Sequence, residues 1–271
     1  MKELDIAALK KMQLQMLDVF AAFCKKHSLD YWIDGGSLLG AIRHKGYIPW
    51  DDDIDAGMLR PDYDRCMALF NQEHDRYRFY SVENNRQMHY AIGKILDTNT
   101  VLYEPNPKGN KLCVYIDIFV YDNAPDDDKE VRKMYQHQLL LMKLDRLQLP
   151  YHPAGSVFRK AALYLLKGIL KAVPRYYFTE RIIKNAKKYA AAETKRVGNF
   201  TGTTQVTVDK RVFDDFIEVE FEGSYYKAPA GYDEWLRAFY GNYMELPPLG
   251  ERKPHHLFEA YMLDEKEDSR I

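Results

Sequence analysis

The sequence predicts an α/β fold in which a small mixed β-sheet is flanked by helices. Three observations carry this. Residues 5–27 place Ile6, Leu9, Met16, Phe20 and Phe23 at helical spacing. Short runs rich in aromatic and β-branched residues, such as LCVYIDIFV at 112–120, read as strands. Residues 129–192 then read as wholly helical. At 271 residues the chain can bury a core. One domain over 1–271 is expected, with a helical insertion at about 125–200.

In order, the first helix keeps Lys10, Lys11, Lys25 and Lys26 outside its apolar stripe, and His27 is expected to cap its end. Tyr31, Trp32 and Ile33 favour a pleated surface and read as a short strand, with Trp32 in the core. Gly35 and Gly36 let the backbone bend and approach a ligand closely. Ser37 is expected to begin a short apolar helix, Leu38 to Ile42. Free N–H groups at such a helix start bind phosphate, and the Ser37 hydroxyl can add to them. A lone Gly-Gly-Ser triplet, though, is usually just a turn.

Four aspartates then crowd into five positions, Asp51, Asp52, Asp53 and Asp55. On a strand, residues two apart share a face, so Asp51, Asp53 and Asp55 are expected to point one way and Asp52 and Ile54 the other. Like charges held this close raise one another's pKa unless a cation sits among them. Hard oxygen ligands call for Mg²⁺ or Mn²⁺. A solvated acidic loop is the plain alternative, and Pro49-Trp50 with the apolar alternation argue against it. An EF-hand loop is rejected, because Ala56 and Asp62 stand where its glycine and glutamate belong.

Downstream, Pro61 starts a helix whose apolar face is Tyr63, Cys66, Met67 and Phe70. Strands are expected at 77–83, 88–96 and 112–121. Lys94 is either an edge residue or a holder of phosphates. Asp117, a carboxylate inside an apolar strand, is costly unless it is paired, bound to metal or at a wet edge. Asp126, Asp127 and Asp128 read as caps of a helix beginning near Lys129. The helical region breaks near Pro150–Pro153 and near Pro174. Segment 156–173 is apolar over most of its surface, with Arg159, Lys160, Lys167 and Lys171 on the remainder. It is expected to pack in a bundle with snorkelling lysines rather than to rest on an anionic membrane. Phe216–Phe221 and Tyr225–Lys227 read as a hairpin, followed by a helix to Tyr240 that Gly241 caps.

Composition narrows the partners. With 39 basic and 40 acidic residues, no nucleic-acid-binding surface is indicated. Cys24, Cys66 and Cys113 form neither a zinc pattern nor a disulfide framework, which fits a reducing cytoplasm. The charged N-terminus does not read as a signal peptide. No stretch approaches the roughly 20 apolar residues of a membrane span, so at most peripheral membrane contact is expected.

The segments Gly36-Ser37-Leu38-Leu39-Gly40, Arg43-His44-Lys45-Gly46 and Ile48-Pro49-Trp50-Asp51-Asp52-Asp53-Ile54-Asp55 resemble the LicD family of phosphotransferases, within the nucleotidyltransferase-fold superfamily. The match here is dense and ungapped, and weaker echoes run to the C-terminus. The resemblance implies transfer of a phosphorylated alcohol, often phosphocholine, from a CDP-linked donor such as CDP-choline. The acceptor would be a cell-surface glycan, lipid-linked forms included, and the reaction would lie in the cytoplasm or at the inner face of the membrane. The resemblance implies Asp53 and Asp55 as paired metal ligands, Asp51 as a helper and Asp117 as the third carboxylate, a ligand or the general base. Gly36, Ser37, Arg43, Lys94, Arg252, His255 and His256 become candidate donor contacts. A quaternary ammonium is recognised by charge and by aromatic faces, which makes Tyr47 and Trp50 candidate walls of a choline cage. Two other readings stay open: a nucleotidyltransferase moving a nucleoside monophosphate, and a binding protein without chemistry.

Overall fold

The computed structural model describes residues 1–103, 111–149, 156–252 and 259–264. Strand β1 (Lys2–Leu4) leads into α1 (Ile6–His27), β2 (Trp32–Ile33), α2 (Gly35–His44), β3 (Asp55–Leu59) and α3 (Arg60–Glu73). Strands β4 (Tyr77–Tyr80), β5 (Gly93–Tyr103) and β6 (Lys111–Ala124) follow. Helices α4 (Asp128–Leu147), α5 (Val157–Leu170) and α6 (Tyr176–Ala186) come next. The chain then forms β7 (Arg196–Gly198), β8 (Thr207–Asp209), β9 (Phe216–Phe221), β10 (Ser224–Pro229), α7 (Tyr232–Tyr240) and β11 (Glu259–Met262). The main sheet has the order β1-β11-β5-β6-β3-β2, with β4 beside β5 and the β7–β8 pair beside β6. Strands β3 and β6 run parallel, and β5 and β6 antiparallel, so the sheet is mixed as expected.

Local chemistry explains the elements that hold the site. Asp5 caps α1 by accepting the Ala8 N–H at 2.8 Å, and Ser28 ends it in the left-handed region. The buried stripe Leu9, Met16, Phe20 and Phe23 lies in the main core. His27 pairs with Glu73 at the end of α3, 2.8 Å away, and so links two helices. Trp32 is fully buried and stacks on Phe213 at 4.3 Å. A Cβ at Gly57 would lie 2.5 Å from that indole, so glycine is what lets β3 pass beneath it. Arg60, at the start of α3, grips Asp122 of β6 through two hydrogen bonds of 2.7 and 2.9 Å, a buried bidentate pair.

Several expectations need correction. The acidic run is not a strand, for β3 begins only at Asp55. A turn holds the aspartates instead, with Asp51 N donating to Ile48 O at 2.8 Å. Strand β5 begins at Gly93 and runs past 96 to Tyr103, with a register shift between Asp97 and Leu102. Helix α2 starts at Gly35 rather than Ser37. Strands β1, β7, β8 and β11 have three or four residues each, too few for an alternation to be read. Of the capping run, Asp127 caps α4 through Lys129 N, whereas Asp126 accepts from Lys195 N and Asp128 pairs with Arg196. The hairpin β9–β10 and the Gly241 cap stand where expected, and Glu222 and Gly223 supply the two left-handed turn residues.

Helices α4, α5 and α6 confirm the helical stretch, with a second small core of Val82, Ala91, Leu141, Leu170, Phe178, Ile182 and Ile183. Helix α5 bears out the expected packing on one side only. Leu166, Leu170 and Val173 join that core, but Phe158, Leu165 and Ile169 are 88, 70 and 62 % exposed. Its apolar surface wraps most of the circumference, and the small core covers one side. The break near Pro150–Pro153 lies outside the described residues.

Candidate active site

Three adjacent strands set three charges in a row. Asp55 of β3 stands opposite Asp117 of β6, and Asp117 stands opposite Lys94 of β5. Neighbouring strands are about 4.8 Å apart and paired residues share a face, so the register brings these side chains together. The Lys94 ammonium donates to Asp117 Oδ1. Lys94 is buried, and its ammonium lies 3.6 Å from the Tyr115 ring centroid and 4.7 Å from that of Tyr90. It is therefore an interior residue with a fixed partner, not a solvent-facing edge lysine. The same contact answers the cost of burying Asp117.

The acidic turn adds to this row. One carboxylate oxygen from each of Asp51, Asp52 and Asp53 lies within 4.8 Å of the other two. Asp52 thus joins its neighbours instead of pointing away, because the strand alternation that would have separated them is absent. The Gln13 amide of α1 donates to the Asp52 carbonyl at 3.1 Å and fixes the turn from below. Burial first, and then the carboxylates of Asp53, Asp117, Asp34 and Asp51, push the Asp55 carboxyl well above the usual carboxylate range.

The glycine turn presses against these acids. A Cβ on Gly35, whose φ is +50°, would lie 2.6 Å from Asp55 Oδ2, and one on Gly36 would lie 2.5 Å from Asp51 Oδ2. Ser37 Oγ accepts the Asp55 N–H at 2.9 Å, so this hydroxyl positions the carboxylate strand. The first N–H groups of α2 have no partner within the helix and lie beside the acids. Beneath them sits Asp34, which is buried. It accepts hydrogen bonds from the Tyr121 hydroxyl and, at 2.7 Å, from the Trp235 indole of α7. Burial raises its pKa and these donors oppose the rise.

The aromatic candidates separate. Tyr47 is core: its ring packs on Phe221 at 5.1 Å, Lys10 lies over it at 4.3 Å, and its hydroxyl donates to Gln13 Oε1 at 3.1 Å. It is scaffold for the acidic turn rather than a cage wall. Trp50 is half-buried, with the Arg252 guanidinium 5.6 Å above its ring and His44 6.4 Å away edge-on. Arg43 lies near Arg252, and burial followed by this like charge lowers its pKa. Its Nη1 donates to Tyr243 O at 2.8 Å and Glu245 O at 3.2 Å, and its Nε to His44 at 3.0 Å. Arg43 therefore ties α2 to the segment after α7. His255 and His256, with Lys253, lie outside the described residues.

Sequence reasoning missed Gln13, Asp34, Tyr121, Trp235 and Tyr240. Tyr240 ends α7 and is 43 % exposed as a residue, while its phenol is raised by burial of the hydroxyl and then by the charges of Asp55, Asp34, Asp51 and Asp53. Asp34 did carry a signal, an acid between an apolar strand and two glycines. The other four lie 38 or more positions from the nearest aspartate of the acidic turn and carried none. As a donor set, the clustered carboxylates, among which burial and then like charge raise Asp55, fit a hard divalent cation.

Comparison with known proteins agrees with this geometry. A profile of the LicD/FKTN/FKRP nucleotidyltransferase domain matches residues 28–152, which include β2, α2, the acidic turn, β5 and β6. The chain is 33% identical over 273 residues to the lipopolysaccharide cholinephosphotransferase LicD of Haemophilus influenzae, covering 97% of this chain and 100% of that protein. It is 29% identical over 143 residues to an uncharacterized protein of Rickettsia prowazekii, covering 52% and 49%. Over 43 residues, 16% of this chain and 9% of the relative, it is 51% identical to the human ribitol 5-phosphate transferase FKRP. Similarity at this level over nearly the whole length shows that the chain belongs to the LicD family.

Proposed function

We propose that this protein is a metal-dependent phosphotransferase that moves a phosphorylated alcohol from a CDP-linked donor to a sugar hydroxyl of a glycan. The observation that carries the reading is the row Asp55, Asp117, Lys94 set against the glycine turn and the acidic cluster. Asp51, Asp53 and Asp55 would hold Mg²⁺ or Mn²⁺, with Asp52 beside them. Such an ion would supply charge neutralisation on the donor diphosphate and the leaving nucleotide. The N–H groups at the start of α2, near Gly36, bind a donor phosphate. Ser37 and Asp34 act through position, one fixing β3 and the other anchoring α2 to Trp235 and Tyr121. Lys94 holds Asp117 by one oxygen, and we assign the other the proton of the acceptor hydroxyl.

Phosphocholine is the leading transferred group, supported by the named activity of the Haemophilus influenzae relative. A neutral alcohol is the second reading. It is favoured by the segment shared with the ribitol 5-phosphate transferase, and by a guanidinium already standing over Trp50. The buried cysteine thiols Cys24, Cys66 and Cys113 support a cytoplasmic site of action, where a glycan on a lipid carrier at the inner face of the membrane is one form of the acceptor. The test is incubation with CDP-choline, CDP-ribitol or CDP-glycerol, Mg²⁺ or Mn²⁺ and candidate glycans, read by mass spectrometry. CMP with a phosphoalcohol-modified glycan supports the proposal. Inorganic pyrophosphate, or binding without turnover, would overturn it. Asp117→Asn should keep metal-induced thermal stabilisation and lose turnover; loss of both would make Asp117 a ligand.

A further inference from the structure

Helix α5 leaves a large apolar face with no partner among the described residues. Its inner side is accounted for: Leu166, Leu170 and Val173 enter the small core, and the Gln148 amide donates to Leu170 O at 3.0 Å and Val173 O at 2.8 Å. Phe158, Leu165 and Ile169 recur at spacings of seven and four, about a quarter turn round the helix from that side, so they form one stripe. Val157 is 79 % exposed as well. Lys160 and Lys171, both exposed, lie three turns apart on the polar face, roughly 150° round the helix from the stripe. Residues 156–179 hold five basic residues and no acidic one, in a chain whose charges otherwise nearly balance. An aqueous helix that displays Phe, Leu and Ile outward gains nothing from them. One that carries lysines on its other face matches a surface with an apolar interior and an anionic rim. None of the described helices is long and apolar enough to cross a membrane.

We propose that α5 is a docking helix that lies in the surface of an anionic bilayer, with Phe158, Leu165 and Ile169 in the acyl boundary and Lys160 and Lys171 at the headgroups. Its purpose rests on the proposed reaction, since a bilayer would bring the enzyme to a lipid-carried acceptor. The binding itself needs neither donor nor metal.

The experiment is co-sedimentation of the full chain with vesicles of phosphatidylcholine, with and without phosphatidylglycerol, at low and high salt and without nucleotide or metal. The wild type should bind the anionic vesicles about tenfold or more tightly than the neutral ones, and salt should weaken this. Phe158→Glu/Leu165→Glu/Ile169→Glu should lose binding about tenfold or more to both vesicle types with an unchanged melting temperature, since all three side chains are exposed. Lys160→Glu/Lys171→Glu should lose only the anionic preference. No vesicle binding by the wild type, or undiminished binding by the triple variant, would overturn the proposal. So would a wild-type dimer in sedimentation velocity that the triple variant abolishes, because a second copy would then cover the face. Vesicle binding and phosphotransfer are read separately, so failure of one leaves the other standing.

Discussion

Replacing Gly35 by alanine tests the idea that the glycine turn exists to let the backbone reach the acids. Two costs are separable. At φ +50° a side chain costs about 1–2 kcal/mol of backbone strain. The added methyl would also stand 2.6 Å from Asp55 Oδ2, 3.4 Å from its Cγ and 3.6 Å from its Cβ. Ordinary contact needs about 3.5 Å, so the carboxylate must retreat by roughly 1 Å. A displacement of that size at a reacting centre costs on the order of 100-fold in rate. Gly223 is the control. Its φ is +78° and nothing lies within 4 Å of its Cβ position, so Gly223→Ala carries the strain alone. Both variants should lose about 1–2 kcal/mol, or about 2–8 °C in Tm. Gly35→Ala alone should also lose about 100-fold in turnover and most of the Mn²⁺-induced thermal shift. Assays are denaturant unfolding, thermal melting with and without Mn²⁺, and donor turnover. Wild-type turnover and metal shift in Gly35→Ala, at equal stability loss, would refute the reasoning.

Asp55→Asn removes one charge from a repelling group, so the metal-free protein should melt a few degrees higher, about 2–4 °C per kcal/mol gained, while turnover falls by more than tenfold. A lower metal-free Tm would show that the repulsion is already relieved within the protein. Asp34→Ala strands the Tyr121 hydroxyl and the Trp235 N–H in the core, at about 1–3 kcal/mol each. Urea unfolding should show a loss of about 2–6 kcal/mol, and a loss under about 1 kcal/mol would mean the two donors find other acceptors. Asp127→Ala should cost about 1 kcal/mol of stability through the lost cap of α4 and leave turnover unchanged.

The mixed sheet, the helices and the acidic cluster could be read from sequence because periodicity and composition encode them locally. The roles within the cluster could not. Alternation assigned Asp52 away from Asp51 and Asp53 on the assumption of a strand, and only the Ile48–Asp51 hydrogen bond and the Gln13 contact show a turn. Lys94 stood open between solvent and site because its partner Asp117 lies 23 positions away, a pairing that strand register alone creates. Tyr47 looked like a ligand residue beside the acids, yet long-range contacts with Phe221 and Lys10 make it core. Helix α5 erred the other way: a bundle was the ordinary fate of its apolar surface, and nothing local reveals how little of it the neighbours cover.

The register of β3, β6 and β5 has a bearing on quality control. A slip of β6 by one residue would exchange Asp117 for Ile116 or Ile118 between Asp55 and Lys94, and would turn a carboxylate into the core and strand the lysine. The misaligned chain would bury unpaired charges and lose its apolar layer in one step. Correct folding and an assembled site are thus a single event, with little room for a well-folded protein whose site is out of register. The irregularity between Asp97 and Leu102 then acts as an expansion joint. A shift in register at the far end of the hairpin is absorbed there, so Lys94 keeps its place opposite Asp117.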